Sequence, residues 1–236
     1  HRRCDVGRYA QVTVHKETGA QRGELGRVAA PQAGKETRAT KTMHSTEAAT
    51  EKEWATITAS KAVEIVSEEE SAELLRIWAE RHQRSEDIGF ELLNSRFIHT
   101  DKKEDDGVRA KSRWCVAGYQ ESGLEELVTA RETEAPTPGL DSKAIALQTI
   151  ASRRYRLCIG DITGAFLNTG PLADEPIRRE IYVKSPNDEM IPGVKRGQLI
   201  RLVKSVYGLN TAPLAWFRKV VEVLEQAGFQ QSRFCP

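Results

Sequence analysis

The 236-residue chain is 39% hydrophobic and 29% charged with a net charge of +1: enough apolar content for one sizeable core or two small ones, and too balanced a charge to name a partner. Its four cysteines, Cys4, Cys115, Cys158 and Cys235, lie far apart without a C-x-x-C pair, so nothing points to a zinc ribbon or a disulfide framework, and a reducing, intracellular setting fits best. No apolar run approaches the roughly 18 residues that span a bilayer and no signal-peptide core follows the basic start, so no membrane partner is expected.

Charge is uneven along the chain. Residues 2–41 carry nine basic and four acidic side chains, residues 51–73 seven acids against two lysines, and residues 190–221 six basic residues and no acid. The first 45 residues are rich in Gly, Ala, Thr, Arg and Lys, lack a periodic apolar face, and read as a disordered basic linker. Such an arm either touches nucleic acid or is a solvated spacer, the simpler reading. The chain opens on His1 rather than Met, which is expected of a piece cut from a longer product.

Order is expected from about residue 45. Residues 46–58 form a short helix around Trp54, and residues 62–66 a strand. Ser67 with Glu70 three residues on makes a capping box for a helix whose buried face is Leu74, Leu75, Ile77 and Trp78. The acids at its start suit the helix dipole better than a metal. Residues 96–99 and 111–119 read as two strands of a hairpin across a charged turn at 101–107. Period-two alternation puts Lys111, Arg113 and Cys115 on one face and Ser112, Trp114 and Val116 on the other, one basic and one apolar.

A loop over 131–140 leads to a helix capped by Asp141, with Ala144, Ile145, Leu147, Ile150 and Ala151 at helical spacing. A buried strand over 155–161 then delivers Asp161 to its end. Further strands are expected at 180–183 and 198–203, and a closing helix over 212–227 with Trp216, Val220, Val223 and Leu224 as core and Gly228 at its C-cap. Without regular βαβ alternation, the class is α+β.

Asp161 has two readings. It is either a turn or cap residue, or a ligand-bearing acid beside a pocket that Gly164 and Ala165 open to close backbone approach and Phe166 walls. The stretch 204–217 joins a strand to a helix through Gly208, with Pro213 in the first turn, and interleaves Tyr207, Trp216 and Phe217 with Lys204. Aromatics among cations suit base stacking beside a phosphate backbone, a helix core is the simpler account, and both are expected to hold, on different faces. Phosphate-loop, dinucleotide, nucleophile-elbow and HExxH motifs are absent.

Six motifs in register make the chain resemble the reverse transcriptase of copia-type long-terminal-repeat retrotransposons. K-x-R-x-x-V-x-G-[FY] stands at 111–119, E-T-x-A-P-T at 132–137 and D-[VIL]-x-x-A-F-L at 161–167. I-Y-x-x-x-P follows at 181–186, K-S-[LV]-Y-G-L-x-x-A-P-x-A-W at 204–216 and G-[FY]-x-x-S at 228–232. The resemblance implies a partial right-hand polymerase: a disordered N-terminal arm (1–45), a lead-in (46–110), and fingers with part of the palm (111–236). It implies that Asp161, with the backbone of Ile162, binds metal as the first of three carboxylates around two Mg²⁺ ions. Lys111 and Arg113 would meet the triphosphate of a dNTP, and the backbone of Ile162, Thr163, Gly164 and Ala165 would lie against metal and phosphates. Phe166 would face the ribose, and Tyr207 and Gly208 would line the nucleotide and template side. Lys195, Arg196, Lys204, Asn210, Pro213 and Trp216 would contact nucleic acid.

The implied partners are RNA/DNA primer-template, dNTPs and the integrase and ribonuclease H parts of a polyprotein, in a cytoplasmic virus-like particle or the nucleus. The departures are a missing Y-x-D-D hairpin, which would bring the other two acids, and Cys235 where the family often has Asp. As given, the chain is not expected to polymerise. The alternatives are a non-catalytic nucleic-acid-binding remnant and an α+β interaction domain that shares only the architecture.

Overall fold

The computed structural model describes residues 12–13, 38–84, 88–104, 107–157, 160–177, 179–187 and 190–231. Strand β1 (Val12–Thr13) and helix α1 (Arg38–Ala59) lie at least partly within the stretch assigned to the disordered arm. The helix starts earlier than expected, its added residues including Arg38, Ala39, Lys41 and Met43, types that hold helical conformation without needing a buried face. The rest of that arm lies outside the described residues.

A four-stranded sheet forms the centre, in the order β2 (Val63–Ile65), β8 (Leu199–Leu202), β7 (Ile181–Lys184), β3 (Glu91–Leu93). Its pairs are antiparallel except β3 with β7, which run parallel. Both faces of β7 are covered over Ile181, Tyr182 and Val183, which read as a short apolar run rather than an alternation, whereas β8 keeps one break in its run at the partly exposed Arg201. Tyr182 and Leu199 face helix α2 (Glu68–Gln83), meeting Leu74 and Leu75. Ile181, Val183, Ile200 and Leu202 face the opposite way, into the main core with Trp54, Ile57, Trp114 and Val206. The expected cap of α2 is present, the Ser67 hydroxyl accepting the Glu70 amide at 3.1 Å.

Strands β4 (Ser95–Glu104) and β5 (Gly107–Val116) form one long antiparallel hairpin, from Ser95 opposite Val116 to Glu104 opposite Gly107. The expected division between residues 110 and 111 therefore falls inside β5. The predicted alternation on β5 is observed, with Ser112, Trp114 and Val116 buried and Lys111 and Arg113 exposed. Helix α1 lies along this apolar face: Trp54 meets Trp114 edge-on at 5.5 Å, and the Thr50 hydroxyl donates to Ser112 Oγ at 3.3 Å.

The far edge of β5 is satisfied by three acceptors from other segments. The Trp114 amide meets the Glu53 carboxylate, the Val116 amide donates to Tyr207 O at 2.8 Å, and the Gly118 amide to Gly208 O at 3.3 Å. This pairing fixes the hairpin to the C-terminal third. It also brings backbones so close that a Cβ on Gly118 would lie 2.4 Å from Gly208 O. Helix α3 (Leu124–Thr129), which the sequence did not reveal, follows and buries Leu127.

Three expectations are corrected. Helix α4 (Leu140–Arg153) is capped by Gly139 rather than Asp141 and has no buried residue, Ile145 being 67% and Leu147 56% exposed. Spacing defines an apolar side but not what covers it. The buried strand over 155–161 reduces to β6 (Asp161–Ile162), with Tyr155 and Leu157 exposed and residues 158–159 outside the description. In helix α5 (Ala212–Gln226), Ala212 and Leu214 are buried while Val223 and Leu224 are exposed. Gly228 sits one residue past the Ala227 C-cap, where φ is 87°. Its amide and that of Phe229 return to Glu225 O and Leu224 O, the double closure of a Schellman end. Among the described residues no helix is long and apolar enough to cross a membrane.

Candidate functional site

Asp161 opens β6, exposed, and β1 pairs with it through Thr13. After Thr163 the chain reverses at Gly164, whose left-handed conformation (φ 63°, ψ 40°) suits a residue without a Cβ. A 3₁₀ turn over Ala165–Asn168 follows. It is tied down by Asn168 Nδ2, which donates to Gly164 O at 3.0 Å, and by Thr169 Oγ1, which donates to Phe166 O at 2.9 Å. Phe166 stands edge-on to Tyr207 at 5.2 Å, and the Arg113 guanidinium lies 5.1 Å above the same Tyr207 ring.

These segments enclose a pocket of about 370 Å³. Lys111 and Arg113 come from β5, Asp161 to Gly164 from β6 and its turn, and Tyr207 from the loop before α5. Phe166 lies behind Tyr207, and Gly208 is held against β5. Helix α1 supplies a wall that sequence reasoning missed, through Lys52, Glu53 and Thr56. The helix itself was legible, but its place beside the pocket depends on the Trp54–Trp114 contact, which no motif records.

Burial pushes the Tyr207 hydroxyl above its ordinary value, and Arg113 pulls against that rise. Burial also raises the Glu53 carboxyl, opposed by the Trp114 amide, Arg113 and Lys111. One Glu53 oxygen is buried without a hydrogen-bond partner. The pocket thus offers two cations, Lys111 and Arg113, the latter over the Tyr207 ring, together with the exposed Asp161 carboxylate and the glycine turn that follows it. That arrangement suits an elongated anion whose far end carries a hydroxyl or a metal ion. Among the described residues no three His, Cys, Asp or Glu side chains gather as a metal site.

The residues expected on nucleic acid are dispersed. Lys195 and Arg196 line a separate cleft beside α2, and Lys195 pairs with Glu68. Lys204 Nζ donates to Ser60 O at 2.8 Å, and Asn210 Nδ2 to Gly118 O at 2.7 Å. Pro213 is exposed and Trp216 half-buried on α5. Of the basic block, Arg201, Arg218 and Lys219 are also paired, with Glu64, Glu132 and Glu222. Most of its charge is therefore matched within the chain.

Residues 88–235 match the family model described as reverse transcriptase (RNA-dependent DNA polymerase). Two similar relatives are the Retrovirus-related Pol polyproteins from transposons RE2 and RE1 of Arabidopsis thaliana, each 31% identical over 144 residues. The matches cover 60% of this chain and 9% of each relative, so the chain spans less than a tenth of the length of these curated relatives. No solved structure matches.

Proposed function

The chain belongs to the reverse transcriptase (RNA-dependent DNA polymerase) family, and on that premise we propose that it carries the nucleotide-facing part of an RNA-directed DNA polymerase. Residues 111–236 are read as fingers and part of a palm, and residues 46–110 as their lead-in. The observation that carries this reading is the pocket, in which three of the recognised motifs meet: Lys111 and Arg113, Asp161 to Gly164, and Tyr207. Arg113 and Lys111 would take the triphosphate of a dNTP, a task for which a guanidinium fork is well shaped. Tyr207, supported by Phe166 and Gly208, would form the wall against base and ribose.

Mg²⁺ is the ion generally used in this family, and a hard cation of that size takes about six oxygen ligands. The pocket supplies Asp161, with the Ile162 carbonyl beside it. Its other acid, Glu53, accepts the Trp114 amide and keeps one oxygen without a hydrogen-bond partner, so the pocket offers two carboxylates where a pair of such ions needs several oxygens each. The described residues therefore do not fit a magnesium pair by themselves, and Asp161 is proposed as one ligand of a centre completed by other parts of the polyprotein. Primer-template and the integrase and ribonuclease H segments of that polyprotein are the proposed partners, in a cytoplasmic particle or the nucleus.

The test has two arms. In the chain itself, dTTP binding followed by calorimetry should weaken at least tenfold in Arg113→Ala. In the longer polyprotein, Asp161→Asn should abolish nucleotide incorporation and leave duplex binding largely intact. Incorporation that survives Asp161→Asn would refute the assignment. A polyprotein that binds primer-template but incorporates nothing before any substitution would point instead to a non-catalytic remnant.

A further inference from the structure

Outside the pocket lining, but tied to the turn that carries Tyr207, lies a group of polar side chains whose residue types in the sequence look like ordinary surface charge. Arg179 is 8% exposed at its side chain, Glu121 0% and Glu175 13%. Arg179 Nη1 donates to Glu121 at 2.8 Å, and its Nη2 donates to Glu175 at 3.0 Å and to Thr211 Oγ1 at 2.9 Å. The second Glu121 oxygen accepts Asn210 Nδ2 at 3.5 Å, and the second Glu175 oxygen accepts Ser205 Oγ at 3.4 Å. Both terminal guanidinium nitrogens and all four carboxylate oxygens of the cluster have partners, and a buried polar network satisfied to that extent favours a single arrangement.

The attachment points have a pattern. Glu121 follows the 3₁₀ turn that ends β5, and that turn is also held by Asn210 Nδ2 on Gly118 O. Ser205 and Thr211 lie on either side of Tyr207 and Gly208. The cluster thus grips the 205–211 turn at both ends and holds its middle against the end of β5 and the 3₁₀ turn after it, where Val116 and Gly118 donate to Tyr207 O and Gly208 O. Arg113, three residues before Val116 on β5, then lies over the Tyr207 ring.

We infer that Arg179, Glu121 and Glu175 are positioning residues for the nucleotide pocket, a buried ion cluster that fixes Tyr207 beneath Arg113 without touching the ligand. The inference rests on the reading of that pocket as a nucleotide site. Lysine cannot replace Arg179 in this role. An ammonium has three donors but on one nitrogen, whereas the planar fork reaches Glu121 from one nitrogen and Glu175 and Thr211 from another.

The experiment compares native chain, Arg179→Lys, Arg179→Met and Glu121→Gln by two measurements: amide hydrogen exchange at Val116 and Gly118, and affinity for dTTP. Both arginine variants should speed exchange of the two amides at least tenfold and weaken dTTP at least fivefold. Arg179→Lys should keep a cooperative melt close to native, so that loss of affinity is separated from loss of fold. If Arg179→Met does not fold, Arg179→Lys and Glu121→Gln carry the comparison. Native-like dTTP affinity in Arg179→Lys, or weakened affinity with unchanged exchange at Val116 and Gly118, overturns the inference. A native chain that does not bind dTTP overturns the pocket reading, and this proposal with it.

Discussion

Gly208→Ala should be among the most damaging single-methyl additions in the chain. A Cβ at this position would lie 2.1 Å from Val116 O and 3.0 Å from Val116 N, both backbone atoms that cannot swing aside. The residue also sits at φ 91°, where an alanine is strained by about 1 kcal/mol. Relief requires the turn to move off β5, which breaks the Val116–Tyr207 and Gly118–Gly208 hydrogen bonds. Val116 and Gly118 are buried, so each orphaned amide costs about 1–3 kcal/mol. The total is about 3–7 kcal/mol, a large part of the 5–15 kcal/mol typical of a domain. Urea unfolding followed by tryptophan fluorescence measures it, with Gly170→Ala as control because a Cβ there meets nothing within 4 Å. A Gly208→Ala chain within about 1 kcal/mol of native would show that the turn and strand are not locked together as described.

Three other outcomes are expected. Ser71→Ala removes the hydroxyl that accepts the buried Leu199 amide at 3.0 Å, and thermal melts should show a loss of about 1–3 kcal/mol, with faster exchange at Leu199. Burial pushes the Glu121 carboxyl up to about 7 from its ordinary 4.5, with Arg179 opposing and Glu91 and Glu175 adding to the rise. The folded chain therefore holds a proton that the unfolded chain has released. That stabilisation is complete below pH 4.5 and is lost as pH rises through about 7, by up to about 3 kcal/mol, and Glu121→Gln should flatten the stability curve in that window. Arg218→Ala, despite the paired 2.7 and 3.0 Å bonds to Glu132, should cost no more than about 1 kcal/mol in chemical denaturation, because the arginine is half exposed.

Local rules carried the sequence reading wherever one element could be judged alone. The Lys111–Val116 alternation, the Ser67 cap and the close of α5 at Gly228 each depend on neighbours a few residues away, and each is found in the structure. The failures share a different cause. The spacing of α4 marks a helix but not what covers it: its apolar residues Leu140, Ile145 and Leu147 stay exposed. Conversely, Glu53, Glu121 and Arg179 belong to residue types that usually face water, and only the tertiary arrangement shows that they are enclosed. For the site, the motifs named Lys111, Arg113, Asp161 and Tyr207, which do line one pocket. The resemblance also assigns Lys195, Arg196 and Asn210 to nucleic acid, and the fold sends them to different places: Lys195 and Arg196 line a separate cleft, where Lys195 pairs with Glu68, and Asn210 donates to Gly118 O.

The far edge of β5 also sets an order in time. Its hairpin partner β4 and the Glu53 acceptor precede it in the chain, so one side of the strand and the Trp114 amide can be satisfied as soon as the hairpin emerges during synthesis. The acceptors for Val116 and Gly118 are Tyr207 and Gly208, some ninety residues later. At about 5–20 residues per second, those two amides wait roughly 5–20 s for their partners on a translating ribosome. During that interval the strand presents an open edge beside the exposed Lys111 and Arg113. Their charges oppose pairing with another copy of the same strand, so the cations proposed to hold a triphosphate in the finished protein would guard the nascent one against aggregation.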